Sequence, residues 1–476
     1  MILAGHPRRR CPCRDQYSPQ RRQGREEKSF SNQLPFALFA VNIILLGIIQ
    51  PSPLYVGIDL GTSGCRAMAI DESLEPVAHA KVALPSPPRR ASRSEQDAEV
   101  WWRAVCEILG ELTGQINPRA IHAIAVDGTS GSIVLSDANG APVAPALLYN
   151  DARAGDEAAR IAAVAPPVSG AHGASSGLAK LLYLQSLPEC GQARHALNQA
   201  EWIAARFTGR YGIGDENNCL KLGYDVIARR WPDWLDDLGV NRALLPQVVA
   251  PGTPLSEVAP AIRDRFGLVA HCRVMAGTTD SIAAFLATGA SRQGEAVTSL
   301  GSTLVLKILS QQPVFSPAHG VYSHRLGKWW LAGGASNSGG AVLRHYFPQS
   351  ELDALTPHLD PERRTGLDYY PLLVPGERFP INDPRLPPRL TPRPQEPVQF
   401  FQGMLEGMAC IEARGYRLLS ELGAPPPVSV RTVGGGACNM AWTRIRGLAL
   451  EVPMIFPRHT EAAYGAALLA AGRLPL

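Results

Sequence analysis

Two stretches about 240 residues apart constrain this chain more than anything else in it. LYVGIDLGTSGCRAMAID, from Leu54, is an apolar run, a turn of small residues and a second apolar run. AVTSLGSTLVLKIL, from Ala296, repeats that design. Each reads as strand, tight turn, strand: the apolar runs bury on a sheet, and the Gly/Ser/Thr cluster makes the turn. Two halves that open alike point to a duplicated α/β architecture.

The rest of the chain reads as alternating strands and helices. Val100, Trp101, Ala104, Val105, Ile108, Leu109 and Leu112 recur at helical spacing, with Ser94 and Asp97 ahead of them as candidate caps. AIHAIAVDG and SIVLSD read as strands and Asp137 to Gly140 as a turn, while helical stretches fill much of residues 151–210. RVMAGTTDS reads as a strand running into a polar turn, followed by an Ala-rich helix from Ile282. In the second half VSVRTVGGG reads as a strand, with a helix from Asn439, a strand LALEVPMIF and a helix TEAAYGAALLAAG. The boundary between halves falls near residues 288–294, giving expected domains of 54–290 and 291–476. The Pro/Arg-rich segment 371–398 reads as a long surface loop.

Residues 1–53 stand apart. Residues 1–33 are rich in Arg, Pro, Gln and Ser, a composition expected to be disordered. Residues 34–49 form an apolar run of 16, short of the roughly 20 that span a bilayer. A signal peptide fits poorly, because the basic region is too long and no small-x-small cleavage site follows. A membrane anchor, a targeting segment and an upstream start codon remain, and the abrupt onset of globular pattern at Leu54 favours the last. This segment carries eight Lys+Arg and three Asp+Glu, a local charge of +5. The remaining 38 basic and 39 acidic residues net −1. A near-neutral body has no broad field for a polyanion, which argues against a nucleic-acid partner. The nine cysteines are scattered without CxxC or zinc spacing, as expected of reduced thiols.

Several familiar motifs are absent: GxxxxGK[ST], HExxH, a kinase HRD, and GxGxxG after a strand. A GxSxG occurs at Gly173–Gly177, but no apolar strand precedes it, so it does not read as a nucleophile elbow. Four features survive. Asp59-Leu60-Gly61-Thr62-Ser63-Gly64 places an acid at a strand end before a turn whose amides and hydroxyls suit phosphate oxygens, and the acid suits Mg²⁺. An ordinary hairpin turn is the competing reading. Gly301-Ser302-Thr303 is a matching turn in the second half. Gly434-Gly435-Gly436, followed by Asn439, leaves a flat surface at a helix start that suits a purine and its ribose, or else a turn that close packing requires. Asp280 ends Gly277-Thr278-Thr279 at a strand–helix junction near the predicted boundary, where clefts form.

Together these features resemble the sugar kinase, heat-shock protein and actin superfamily of ATPases. Within it, YVGIDLGTSG, LLYNDAR, AGTTDSIAAF, SLGSTLVLK and GGGACN…EAAYGAALLA, in that order, resemble the FGGY carbohydrate kinase family over essentially all of residues 54–476. With VDGTSGS, WIAARFTG, DENNCLKLGYD and RWPDWL, the body looks most like the small D-ribulokinases of cyanobacteria and plants, some labelled xylulokinase-like. Where many members have Trp, this chain has Tyr149 and Tyr183. The resemblance implies two ribonuclease-H-like domains flanking a cleft, with ATP mainly on the second and sugar mainly on the first.

The resemblance also implies site roles. Asp280 is the expected general base and sugar contact. Asp59 would hold Mg²⁺ and touch the sugar. Thr62, Ser63, Gly301, Ser302 and Thr303 would cradle phosphates, and Gly434, Gly435, Gly436 and Asn439 the adenosine. Ser130 matches a sugar-contact position. Asp151 and Arg153 are further sugar candidates, with a salt-bridged pair at a helix start as the alternative, and Lys180 reads as a structural helix residue. The expected reaction is ATP-dependent phosphorylation of D-ribulose. The alternatives are D-xylulose or another polyol, or an idle nucleotide- and sugar-binding sensor; the presence of both Asp59 and Asp280 favours an enzyme. The expected location is cytoplasmic, or the plastid stroma in a plant, with anchoring through residues 34–49 left open.

Overall fold

The computed structural model describes residues 52–87, 89–90 and 92–474. The readings made of residues 1–51, the apolar run included, lie outside the described residues. Among the described residues no helix is long and apolar enough to cross a membrane.

The two hairpins of the sequence each open a six-stranded sheet. In the first, β1 (Leu54–Leu60) pairs antiparallel with β2 (Gly64–Ile70), and β2 with β3 (Pro76–Ala83). Helix α1 (Glu99–Thr113) leads to β4 (Ile121–Gly128), which lies parallel to β1. Helices α2 (Gly177–Gln185), α3 (Gln199–Thr208) and α4 (Glu216–Cys219) follow. Strand β5 (Pro254–Glu257) runs antiparallel to β6 (Arg273–Thr279), and β6 is parallel to β4. The sheet order is β5-β6-β4-β1-β2-β3. Helix α5 (Asp280–Ala287) leads into the second half.

The second sheet is built alike. β7 (Glu295–Leu300) and β8 (Leu304–Ser310) form the hairpin, flanked by β9 (Tyr322–Leu326) and β10 (Trp329–Ser336). Helix α6 (Gly340–Tyr346) and the long α7 (Pro397–Glu421) precede β11 (Ser429–Val433), parallel to β7. After α8 (Met440–Leu450) comes the short β12 (Met454–Ile455), and α9 (Ala462–Ala470) closes the chain. The order is β9-β10-β8-β7-β11-β12. Strands β3-β2-β1-β4-β6 of the first sheet thus correspond to β10-β8-β7-β11-β12 of the second.

Each sheet has its own core. Val56, Ile58, Leu60, Ile124 and Val126 pack with Trp101, Val105 and Ile108 of α1. Leu304, Leu306 and Ile308 pack with Phe400, Met404 and Met408 of α7. Full burial of each such side chain contributes about 1.5–3 kcal/mol. Beneath β7, Arg446 and Glu412 are a fully buried pair, Nε to Oε2 2.6 Å, with Thr298 Oγ1 and Tyr416 Oη completing the network.

The helix that closes each half, α5 and α9, ties the halves together by crossing over. Helix α9 follows the second sheet in sequence yet lies on β1 and β4 of the first. Helix α5 packs Ile282, Phe285 and Leu286 against Val297, Leu309 and Leu331 of the second sheet. The approach is close: a Cβ on Gly57 would fall 2.0 Å from the Ala463 carbonyl oxygen, and one on Gly465 1.9 Å from that of Ala283.

Three local readings are corrected. Ser94 does not cap α1: it lies in the strand Arg93–Gln96. Asp97 is not the cap either; the cap position is Ala98, which makes no side-chain cap bond, and Asp97 just before it accepts the Glu99 amide through Oδ1 at 3.0 Å. LALEVPMIF is not one strand; Leu448–Leu450 finish α8, Glu451 ends it in the left-handed region at φ 56°, and only Met454–Ile455 pair with β11. The Ala-rich helix starts at Asp280, two residues before Ile282. Segment 371–398 forms only isolated bridges before the helix at Pro397, as expected of a loop, but it is anchored by the buried Leu372 and Phe379.

Candidate active site

Three parallel strands end on one edge of the first sheet, and each delivers an acid or leads to one. Asp59 closes β1 and pairs in register with Asp127 of β4. Thr278 of β6 stands beside Asp127 in turn, and Asp280 opens α5 directly after β6. In parallel sheets this carboxyl edge is where ligands bind. The three carboxylates are close enough to perturb one another. Burial pushes Asp280 up to about 6, helped by the charge of Asp59 and opposed by the Ser281 amide, Lys307 and Lys221. The Asp280 carboxylate accepts that amide through Oδ1 at 2.6 Å, which leaves Oδ2 for a ligand.

Burial also raises Asp59, while Arg66 at 3.0 Å from its Oδ2 pulls it back. Arg66 reaches on to Glu461 at the start of α9, Nε to Oε2 3.4 Å. Asp127 is wholly buried, raised by burial and then by Asp59, and neither of its oxygens accepts from a donor among the described residues. A buried carboxylate without a donor calls for a proton or a cation. No group of three or more metal-type side chains occurs among the described residues. One or two carboxylates without a cage fit Mg²⁺ that arrives with phosphate oxygens and waters.

The first hairpin turn lies at this edge, directly after β1. Gly61 N donates to Gly64 O at 3.0 Å, leaving Thr62 partly and Ser63 largely exposed. In the second half Gly301 and Ser302 carbonyls receive the first amides of α6, and Arg344 of α6 donates to Ser302 Oγ at 2.9 Å. Thr303 completes that turn. Ser302, Gly435, Gly436, Asn439 and Arg344 line a cavity of about 390 Å³. The three glycines divide between the two readings of the sequence. Gly434, at φ 86°, and Gly436 are required by packing: a Cβ would fall 2.7 Å from Leu300 O and 2.5 Å from the Trp442 ring. A Cβ on Gly435 would meet nothing within 4 Å among the described residues, so its surface is open. Asn439 caps α8 through Oδ1, which accepts Trp442 N at 2.9 Å, and its Nδ2 donates to Thr356 Oγ1 at 3.2 Å, so both ends of its carboxamide are engaged at the cavity wall.

Among the expected sugar contacts, Ser130 Oγ is buried without a partner among the described residues, and its carbonyl accepts Lys221 Nζ at 3.1 Å. Lys180 is fully buried and binds the Gly131 and Leu148 carbonyls at 2.8 and 2.6 Å, the structural role expected of it. Asp151 and Arg153 take the ion-pair alternative. Asp151 is wholly buried, its Oδ2 accepting Ser94 N at 2.6 Å and Arg153 Nη2 at 2.8 Å, and Arg153 also binds Glu95 at 2.6 Å. Both side chains are consumed in tying the strand Arg93–Gln96 to the 148–153 loop. Tyr183 lies under Arg153, 5.8 Å from its ring centroid, and Tyr149 is exposed.

Comparison with known proteins decides the family. Residues 54–287 match the model of the FGGY family of carbohydrate kinases, N-terminal domain, and residues 296–473 match the C-terminal domain. The chain belongs to the FGGY family of carbohydrate kinases. FGGY kinases named xylulose kinase are among its relatives: that of Streptomyces coelicolor is 29% identical, covering 89% of this chain and 88% of the relative. That of Escherichia coli is 27% identical, over 82% and 84%. The fold matches a xyloylose kinase from Brucella ovis with a TM-score of 0.81 at 26% identity, covering 88% and 90%. It also matches a Plasmodium falciparum glycerol kinase crystallised with ADP, TM-score 0.77 at 18% identity, covering 89% and 90%. The chain is therefore a sugar kinase in a two-domain α/β fold of the actin-like ATPase type, and ATP is the phosphate donor of such kinases.

The sequence reading of this FGGY kinase missed five side chains at the site: Arg66, Asp127, Lys221, Lys307 and Arg344. Two of them carried a visible signal. Asp127 ends an apolar strand just as Asp59 does, and Lys307 is the one charge in the apolar strand LVLKIL. The others become legible only once strands and helices are paired in space.

Proposed function

We propose that this kinase transfers the γ-phosphate of ATP to the terminal C5 hydroxyl of a ketopentose, with D-ribulose preferred over D-xylulose. The observation that carries the reading is Asp280. It is partly accessible, has a free Oδ2, and is held near 6, so that at neutral pH it is a carboxylate basic enough to take a proton. The sugar hydroxyl gives its proton to Oδ2 as its oxygen bonds to the γ-phosphorus. The bond from that phosphorus to the β-γ bridging oxygen breaks, and ADP leaves. Thr62, Ser63 and the 301–303 turn hold phosphate oxygens through amides and hydroxyls, and Gly435 receives the adenosine. Mg²⁺ would supply charge neutralisation across the phosphates, with Asp59 as the residue to hold it and Asp127 behind. Little else is asked of the protein, since phosphoryl transfer depends on positioning and electrostatics.

The preference for D-ribulose draws on Ser130. Its unpartnered hydroxyl beside Lys221 suits a sugar hydroxyl, and an inverted epimer would leave it unpaired. An unmade bond of this kind costs about 1–3 kcal/mol, roughly 5- to 150-fold in kcat/KM. D-Xylulose is the second reading, supported by the relatives named xylulose kinase. The test is ADP release with D-ribulose, D-xylulose, gluconate, glycerol and no sugar. D-Ribulose should lead, and Ser130→Ala should depress its use more than the slow sugar-independent hydrolysis. A higher kcat/KM for D-xylulose would select the second reading.

A further inference from the structure

We propose that Lys307 is a phosphate-contacting catalytic residue, reaching from the second sheet to the oxygens of the phosphoryl group in transfer. The inference rests on the kinase reading of the site but not on which sugar is used.

The placement follows from strand alternation. Along β8, Leu306 and Ile308 turn into the core beneath α7, so Lys307 and Leu309 face the other side, which α5 covers. Helix α5 begins only at Asp280. At the level of Lys307 its cover therefore ends, and that face of the sheet meets the cleft beside the proposed base. Lys307 Nζ donates to Ser281 Oγ at 2.9 Å, and the amide of the same Ser281 is bound by Asp280 Oδ1. The ammonium thus stands one residue from the carboxylate that would receive the sugar proton.

Its charge is unanswered. Lys307 is about nine-tenths buried, yet it has one hydrogen bond and no ion-pair partner among the described residues. An ammonium has three protons to donate. A buried cation without a counterion is costly unless an anion is to arrive. The groups facing it are Asp280, Lys221 and His324, with Tyr322 and Arg378 around the same small cavity. Only Asp280 among them is an acid. Burial and Lys221 draw the ammonium down to about 7 against the pull of Asp280, and the neighbouring His324 is held neutral by its own burial. A phosphate arriving here favours the protonated ammonium, giving a positive site next to the point of attack, where charge spreads over the equatorial oxygens of the moving phosphoryl group.

The full-length chain can be tested without a sugar. Binding of ADP with Mg²⁺ is measured with and without aluminium fluoride, which stands in for the phosphoryl group in flight. The probe is applied to the wild type, Lys307→Met and Lys307→Arg. The fluoride should tighten ADP binding in the wild type. That gain should shrink roughly 10- to 100-fold in Lys307→Met and return in part in Lys307→Arg, while ADP alone binds all three within about threefold. The kcat of Lys307→Met should fall in step, with the KM for sugar little changed. Equal gains in all three proteins, or a wild type that binds ADP and gains nothing, would overturn the proposal. So would loss of ADP binding in Lys307→Met alone, which marks a structural role. Absence of ADP binding in the wild type would instead sink the kinase reading on which it rests.

Discussion

At the scale of single residues, Asp280 is governed by two opposed influences. Burial and Asp59 favour its protonated form, while Ser281 N, Lys307 and Lys221 favour the carboxylate. Burial wins, and the group titrates at about 6 rather than near the ordinary 3.9. A general base must be deprotonated, so activity is present above that value and lost as pH falls through it. The profile of kcat/KM against pH should therefore drop with unit slope below about 6, because that ratio reports the free enzyme. An acid limb near 4 would show that another group sets it. Asp280→Asn preserves the size of the side chain and cannot take the proton. Its kcat should fall by about 10² to 10⁴ while ADP binding survives; near-normal turnover would remove Asp280 from the role. This residue was legible in the sequence because a strand-end acid before an Ala-rich helix is a local signal. Asp127 carries a similar signal, but its significance depends on its register with Asp59 across parallel strands, which no local pattern encodes.

At the scale of elements, the hairpins and most helices could be read from periodicity, since a β-branched run or an amphipathic stripe advertises its own burial. Helix α9 shows where such reading stops. Its residues from Ala463 to Ala470 are all buried, so EAAYGAALLA announces a helix enclosed on every side. Nothing in that pattern says which sheet encloses it. The answer lies in glycines: Gly57 of β1 admits the α9 backbone, and Gly465 of α9 admits that of α5. The split of LALEVPMIF is a second case, since apolar residues that end a helix and begin a strand look continuous. Gly465→Val is the matching prediction. Its side chain would meet the Ala283 carbonyl, with Cβ at 1.9 Å, and backbone cannot give as a side-chain tip can. The crossing should loosen, with a thermal midpoint lower by more than about 4 °C. An unchanged midpoint would mean that the helices have room to part.

At the scale of the whole molecule, the duplicated hairpins foretold two matching sheets, and the sheet orders agree strand for strand over five positions each. What the sequence could not supply is how the two communicate. The candidate sugar contacts Ser130 and Lys221 belong to the first half and the nucleotide cavity to the second. Between them lies Asp280, which follows strand β6 of the first sheet and opens helix α5, and α5 rests on the second. Lys307 reaches Ser281 across the same junction. Either ligand should therefore help to order a segment that the other also needs, and that ordering cost is incurred once rather than twice. A single ligand at a hundred times its Kd stabilises by about 2.7 kcal/mol, and two independent ligands simply add. Here the stabilisation by Mg²⁺-ADP together with the preferred pentose should exceed the sum of their separate effects by about 1–3 kcal/mol. Thermal melts of the full chain with each ligand, with both and with neither provide the measurement, and ADP in place of ATP prevents turnover. Gly465→Val, by loosening the crossing of α5 and α9, should reduce the excess while leaving the separate shifts in place. Strictly additive shifts in the wild type would show that the two halves bind their ligands without regard to one another.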